Sequence, residues 1–166
     1  MVDTYDLFAS HYGNAIRFDG GHHADDSVII HSLTPVIRWI DDRQEGREKP
    51  VLYITIDAMR DSYGKQRSNM RKTFEMLIET YDVYFVVAAP TNEHDYITQS
   101  QLWIEDAISA PAYDRVVMTN KPSLLLGDFI ISTTEEKGFM GTCIQLGTPD
   151  FKCWEDVETY FERIRN

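Results

Sequence analysis

Cysteine is scarce: Cys143 and Cys153 are the only two, with no C-x-x-C pair and no His pair following them. A zinc ribbon and a disulfide framework are therefore excluded, and both thiols are expected to be reduced, in or near the core. Long apolar runs are also missing. The longest uncharged one, Val51 to Ile56, falls far short of the ~20 residues that span a bilayer. The start of the chain carries Asp3 and Asp6 rather than a signal peptide's positive charges, which predicts a cytosolic protein. Positive charge is in short supply, with 16 basic against 27 acidic residues and a net charge of -11. Such a chain repels nucleic acid and anionic membrane at long range, so any phosphate contact has to be local. No internal repeat and no low-complexity tract occurs, which excludes solenoids and arrays.

What is present is the composition of one globular domain: 166 residues, 43% of them apolar and 26% charged. The composition breaks once, at Asp41 to Pro50, a charged stretch with Gly46 and Pro50. It divides an N-terminal extension (1-50) from a body (51-166). In the body, short apolar runs alternate with segments of helical period, which predicts parallel strands joined by crossover helices in a Rossmann-like α/β fold. Strands are expected at Val51 to Asp57, Val83 to Ala89, Arg115 to Met118 and Asp128 to Ile131, with an edge strand at Cys143 to Leu146. Helical stripes are formed by Met70, Phe74, Leu77, Ile78 and Tyr81, by Ile97, Ile104 and Ile108, and by Trp154, Val157, Phe161 and Ile164. Asn120 to Leu126 has room for about two helical turns. In the extension, Thr34 and Pro35 start a helix with Val36, Ile37 and Ile40 buried. Val28 to His31 reads either as a strand or as part of the same helix kinked at Pro35.

Five basic residues, Arg60, Lys65, Arg67, Arg71 and Lys72, stand close together with Asp61 the only acid among them. On the helix expected there, positive charge lies toward the N-terminus, against the macrodipole, and Arg67 and Arg71 share a face at i, i+4. This predicts contact with an anionic partner, either an acidic protein surface or DNA phosphates. Four histidines (His11, His22, His23, His31) crowd the extension, and His22, His23, Asp25 and Asp26 are close enough in sequence to hold a transition metal. Adjacent histidines rarely share one tetrahedral site, so a solvated Gly-rich turn is the reading taken, with no metal and no cofactor.

An apolar strand running into Asp57 places a carboxylate at the sheet's carboxyl edge, where open α/β folds bind ligands. The blocks Y-D-V-Y-F-V-V-A-A-P, T-Q-S-Q-L-W-I-E-D, V-V-M-T-N-K with L-L-L-G-D-F-I-I, and W-E-D-V-E-T-Y-F follow in order. From Tyr81 to Phe161 the chain thereby resembles the haloacid-dehalogenase-like (HAD-like) 5'(3')-deoxyribonucleotidases. The resemblance implies a D-x-D-G motif in which the first Asp attacks phosphate and the second is the general acid and base, with magnesium between the strand ends. Aligned on Asp57, the motif reads Asp57-Ala58-Met59-Arg60, and Met59 can donate no proton. The second motif's hydroxyl residue aligns with Val87, the third motif's lysine with Lys121, and the fourth motif's paired acids with Ser132 and Thr133. The segment from Asp57 to Tyr84 is too short for the helical cap of these nucleotidases.

These losses predict a pseudoenzyme with vestigial Asp57 and Lys121, the lysine pairing with the aspartate. The function expected is regulatory binding. In size and acidity the chain is similar to the phage Alc-type transcription terminators, which makes host RNA polymerase the most concrete partner, with the 60 to 72 cluster touching nearby DNA. The alternative is a low-activity nucleotidase or nucleotide sensor built on Asp57 and Lys121, with Glu135 or Glu136 shifted into the place of the lost acids.

Overall fold

A computed structural model describes residues Lys49 to Arg165, so the readings made for the extension, including its helix, its possible strand and its histidines, lie outside the described residues. The body is the predicted α/β Rossmann-like fold. Five parallel strands, β1 (Val51–Thr55), β2 (Asp82–Val87), β3 (Val116–Met118), β4 (Phe129–Ser132) and β5 (Thr142–Gln145), pair in the order β3-β2-β1-β4-β5. Helix α1 (Ile56–Met59) is a single turn directly after β1. α2 (Met70–Thr80) and α3 (His94–Ile108) make the β1-β2 and β2-β3 crossovers, and α4 (Trp154–Arg165) closes the chain.

Strand composition explains the sheet. The runs V-L-Y-I-T and D-V-Y-F-V-V are β-branched and aromatic, and both are largely buried, as parallel strands covered on their faces must be. Alternation then sorts the side chains. Leu52, Ile54, Phe85, Ile131 and Ile144 meet Met70, Phe74 and Leu77 of α2, Ile104 and Ile108 of α3, and Trp154, Val157 and Phe161 of α4 in the main core. Tyr53, Val86, Ile130 and Phe139 form a smaller cluster with the opposite strand parity. Gly127 is required beside it: a Cβ there would lie 2.4 Å from the Tyr53 ring. The close approach lets the Tyr53 hydroxyl donate to the Leu126 carbonyl at 2.6 Å.

Several boundaries differ from those expected. β1 stops at Thr55 rather than Asp57, because the chain closes a helical turn at once and the Arg60 N–H donates to the Ile56 carbonyl at 3.0 Å. β2 likewise stops at Val87. α2 begins only at Met70, because Asn69 adopts a left-handed conformation (φ 64°) that a helix cannot contain. Lys65 and Arg67 thus precede the helix, and the shared face predicted for Arg67 and Arg71 does not exist. Asn120 to Leu126 holds one 3-10 turn, Pro122–Leu124, rather than two α-helical turns. Cys143 is half-buried in β5 and Cys153 is exposed, so the second thiol is not in the core. Among the described residues no helix is long and apolar enough to cross a membrane.

Candidate active site at the carboxyl edge

Strand order reverses between β1 and β4: the chain steps outward from β1 to β2 and β3, then returns to the other side of β1. In open α/β sheets the crevice beyond the carboxyl ends at such a point is where ligands bind. All the motif positions gather along this edge. Asp57 lies in the turn after β1, Val87 ends β2, Lys121 follows β3, and Ser132 and Thr133 close β4.

The β1 end is built around the helical turn. Asp57 is exposed, while Ile56, Ala58 and Met59 on either side are buried. Two bonds hold the turn in place. Trp154 Nε1 donates to the Ala58 carbonyl at 2.8 Å, fastening the start of α4 to it, and Arg67 Nε donates to the Asp57 carbonyl at 3.0 Å. Met59 is a fully buried core side chain. Because the strand's last residue is Thr55, a D-x-D-G pattern whose first acid closes the strand falls on Thr55-Ile56-Asp57-Ala58. In that register Asp57 aligns with the motif's second acid, Ala58 with its glycine and Thr55 with its first acid. Thr55 Oγ1 is buried and has no hydrogen-bond partner among the described residues. Continuing the β1-β4 register (Ile54 with Ile131) sets Thr55 level with Ser132. A different motif register, anchored on the strand's end, would have found this arrangement.

The β4 end carries hydroxyls in place of acids, and they organise a carboxylate from the next loop. Ser132 is buried, and its Oγ donates to Glu136 Oε1 at 3.0 Å. Thr134 Oγ1 donates to the same oxygen at 3.0 Å, and the Thr134 N–H donates to Ser132 Oγ at 3.2 Å. Of the two acids suggested as replacements, the structure brings Glu136 back to the strand end. At the β3 end, Asn120 Oδ1 accepts from the Ala89 N–H at 2.7 Å, tying the loop that bears Lys121 to the end of β2. Lys121 is exposed and makes no ion pair with Asp57, contrary to expectation. β2 lies between their strands.

Magnesium, implied by the resemblance, is a hard cation that wants several oxygen ligands, usually carboxylates. Among the described residues no three His, Cys, Asp or Glu side chains cluster to hold an ion. Ser132 and Thr133 stand where the paired acids would be, so the side chains present do not fit the ion.

Beside the turn, a cleft of about 750 Å³ opens between the segment 61–68, the ends of β4 and β5, and the start of α4. Lys65, Arg67 and Lys152 supply positive charge, Ser68 and Thr133 supply hydroxyls, and Asp61 and Glu155 supply negative charge. Asp61 is already engaged: its Oδ1 accepts from the N–H groups of Tyr63 and Lys65, both at 2.9 Å. The five cations of the 60 to 72 cluster have different surroundings. Arg60 lies over the rings of Trp103 (5.2 Å) and Tyr96 (5.8 Å) and donates to Ser100 Oγ at 3.1 Å. Arg71 pairs with Glu75 and donates to the Ala107 carbonyl. Lys72 pairs with Glu158 at 2.9 Å. The Glu158 carboxyl is held below the ordinary range first by a hydrogen bond from Asn69 and then by Lys72. Lys65 and Arg67 alone of the five face the cleft.

No protein-family profile matches the chain. Over 127 residues it is 28% identical to a protein of Vibrio phage KVP40 named "Putative 5'(3')-deoxyribonucleotidase", a match that covers 74% of this chain and 70% of that one. The likeness supports a nucleotidase-like grouping. It also overturns the expectation of a pseudoenzyme, since the named relative is described as an enzyme and the chain matches most of its length. The strand's end offers a physical reason for that correction: in the register it sets, Asp57 rather than Met59 aligns with the second acid of the motif.

Proposed function

We propose that the chain is a phosphomonoesterase acting on deoxynucleoside monophosphates. The observation that carries this reading is Asp57, an exposed carboxylate on a pinned turn at the topological switch point, next to a cleft with three cationic side chains. Arg67 joins the two, since it lines the cleft and holds the Asp57 carbonyl. In this reading Lys65, Arg67 and Lys152 bind the phosphate and offset the charge that builds on its oxygens in the transition state. Asp57 takes a proton from the attacking water as its oxygen bonds to phosphorus. The ester P–O bond breaks, and the proton passes to the departing sugar oxygen, giving a nucleoside and inorganic phosphate.

The test is phosphate release from 5'- and 3'-deoxynucleoside monophosphates by the purified full chain, with and without magnesium. Asp57→Asn lowers release by at least about 100-fold, the usual size of a general acid-base contribution. Release by the unmutated chain no greater than that of Asp57→Asn, under both conditions, overturns the reading. The partner expectation, host RNA polymerase with local DNA contact, stands as a separate proposal resting on surface charge. Affinity capture from bacterial lysate with and without nuclease tests it, and recovery of no polymerase removes it.

A further inference from the structure

β3 pairs with β2 on one side and, among the described residues, with no strand on the other. Its register decides which backbone groups are free. The Phe85 N–H donates to the Arg115 carbonyl at 2.8 Å, and the Thr119 N–H donates to the Val87 carbonyl at 3.0 Å. Arg115, Val117 and Thr119 therefore turn their peptide groups toward β2, and Val116 and Met118 turn theirs outward. A three-residue strand is an ordinary way to blunt an edge, but this one borders a hollow of about 630 Å³. Gln101 and Glu105 of α3, Tyr113 and Asp114 of the loop before β3, and Val116 line it. The loop is held in shape: the Ala112 N–H donates to the Ser109 carbonyl at 2.9 Å, and the Tyr113 N–H to the Ala110 carbonyl at 3.1 Å. The hollow's charge is unbalanced. Neither Glu105 nor Asp114 is in an ion pair among the described residues. Arg115, the cation next to Asp114 in the chain, pairs instead with Asp82 and lies over the Tyr84 ring at 5.1 Å.

We propose that the β3 edge and this hollow bind an extended basic segment of a partner protein, which adds to the sheet as a further strand and sets a Lys or Arg side chain against Glu105 and Asp114. The outward N–H and C=O groups of Val116 and Met118 supply the main-chain hold, and the hollow selects the side chain. Val116 packs on the core shared with α3, so the hollow lies on that face of the sheet. Every second residue of the added strand, about 7 Å apart, points to the same face, while those between lie beside Val117. Tyr113, 57% exposed, offers the incoming cation the face of its ring as well. Charge decides against other occupants. A second copy of the chain would bring the same carboxylates and another net charge of -11 to the edge, and a nucleic acid would bring phosphates.

The experiment is calorimetric titration of the full chain at low salt with a capped octapeptide of alternating lysine and valine, followed by hydrogen exchange on the complex. Two further peptides separate the contributions: one of alternating glutamate and valine, and the Lys-Val peptide N-methylated at every second residue, which keeps its charge but cannot complete a ladder. The Lys-Val peptide is expected to bind and to slow exchange of the Val116 and Met118 amides. The other two are expected to bind at least about tenfold more weakly, the size of a few lost hydrogen bonds or of charge reversal. Glu105→Gln combined with Asp114→Asn keeps shape and lets residue 114 hold its left-handed φ of 60°. It is expected to weaken the Lys-Val peptide about fivefold, the size of two exposed ion pairs. Failure of the Lys-Val peptide to bind overturns the inference, as does binding that leaves the Val116 and Met118 amides unprotected. Equal binding of the N-methylated peptide means attraction by charge alone and also overturns it, and an unaltered affinity in the double variant removes the hollow from the site.

Discussion

At the end of β1 the chain leaves an exposed acid, Asp57, whose side chain makes no hydrogen bond among the described residues. At the end of β4, one strand away, the half-buried acid Glu136 accepts from both Ser132 and Thr134. The two ends share an edge and differ in what the surroundings spend on the carboxylate. Around Asp57 the bonds go to the backbone, from Trp154 and Arg67, so the turn is fixed and the side chain left free to react. Around Glu136 they go to the carboxylate itself, which fixes the acid and uses its lone pairs. A free acid on a rigid support suits proton transfer, whereas a doubly bonded one suits holding a loop.

The largest effect that sharpens the contrast comes from Trp154→Ala. This side chain is fully buried and also holds the Ala58 carbonyl, so its removal leaves a cavity and frees the turn. The expected cost is about 3 to 5 kcal/mol in denaturant unfolding. Under native conditions, hydrogen exchange speeds up at residues 56 to 60 and not at 132 to 136. Equal loosening at both ends means that the turn and the β4 loop are one unit, which breaks the comparison.

Ser132→Ala acts on the other end. It removes one of the two hydroxyl donors to Glu136 and leaves the Thr134 N–H without its acceptor, so a loss of about 1 to 3 kcal/mol is expected. Denaturant midpoints check it. A neutral result would mean that Glu136 is free to serve the cleft rather than the loop.

Thr55→Val is the opposite kind of change. Among the described residues the threonine hydroxyl is buried and unpaired, a standing cost to the folded chain, and valine has nearly the same shape. Stability is expected to rise by about 1 kcal/mol, and phosphate release to fall if the hydroxyl serves the first motif position. A stabilised variant with unaltered release makes Thr55 a packing residue only.

The fold was legible in the chain because its core obeys simple periods. Met70, Phe74 and Leu77, and likewise Trp154, Val157 and Phe161, lie on the buried helix faces that their spacing predicted. The site was less legible, since it depends on where elements stop. One helical turn after Thr55 moved the motif register by two residues, and the left-handed Asn69 removed Lys65 and Arg67 from their supposed helix. Charge counting leaves out the partners of each cation for a related reason. Arg60 reads as one more cation in sequence, yet it is taken up by Trp103, Tyr96 and Ser100, distant partners that no local pattern reveals.

Tyr53 gives the smallest effect and links the two ends, since it stands in β1 and donates to Leu126, shortly before β4. Burial first, and then Tyr84, Asp82 and Asp128, push its hydroxyl from 10.0 up to about 12. A raised value means that the folded chain keeps the proton after the unfolded chain has lost it. The contribution is therefore fully present below pH 10 and is lost as pH rises toward 12. Tyr53→Phe removes the donor at a cost of about 1 kcal/mol near neutral pH, and flattens the fall in stability across that alkaline window. Midpoints measured at several pH values for both chains check it. An unchanged alkaline slope in Tyr53→Phe would assign the loss to another group and leave the β1 and β4 ends without this link.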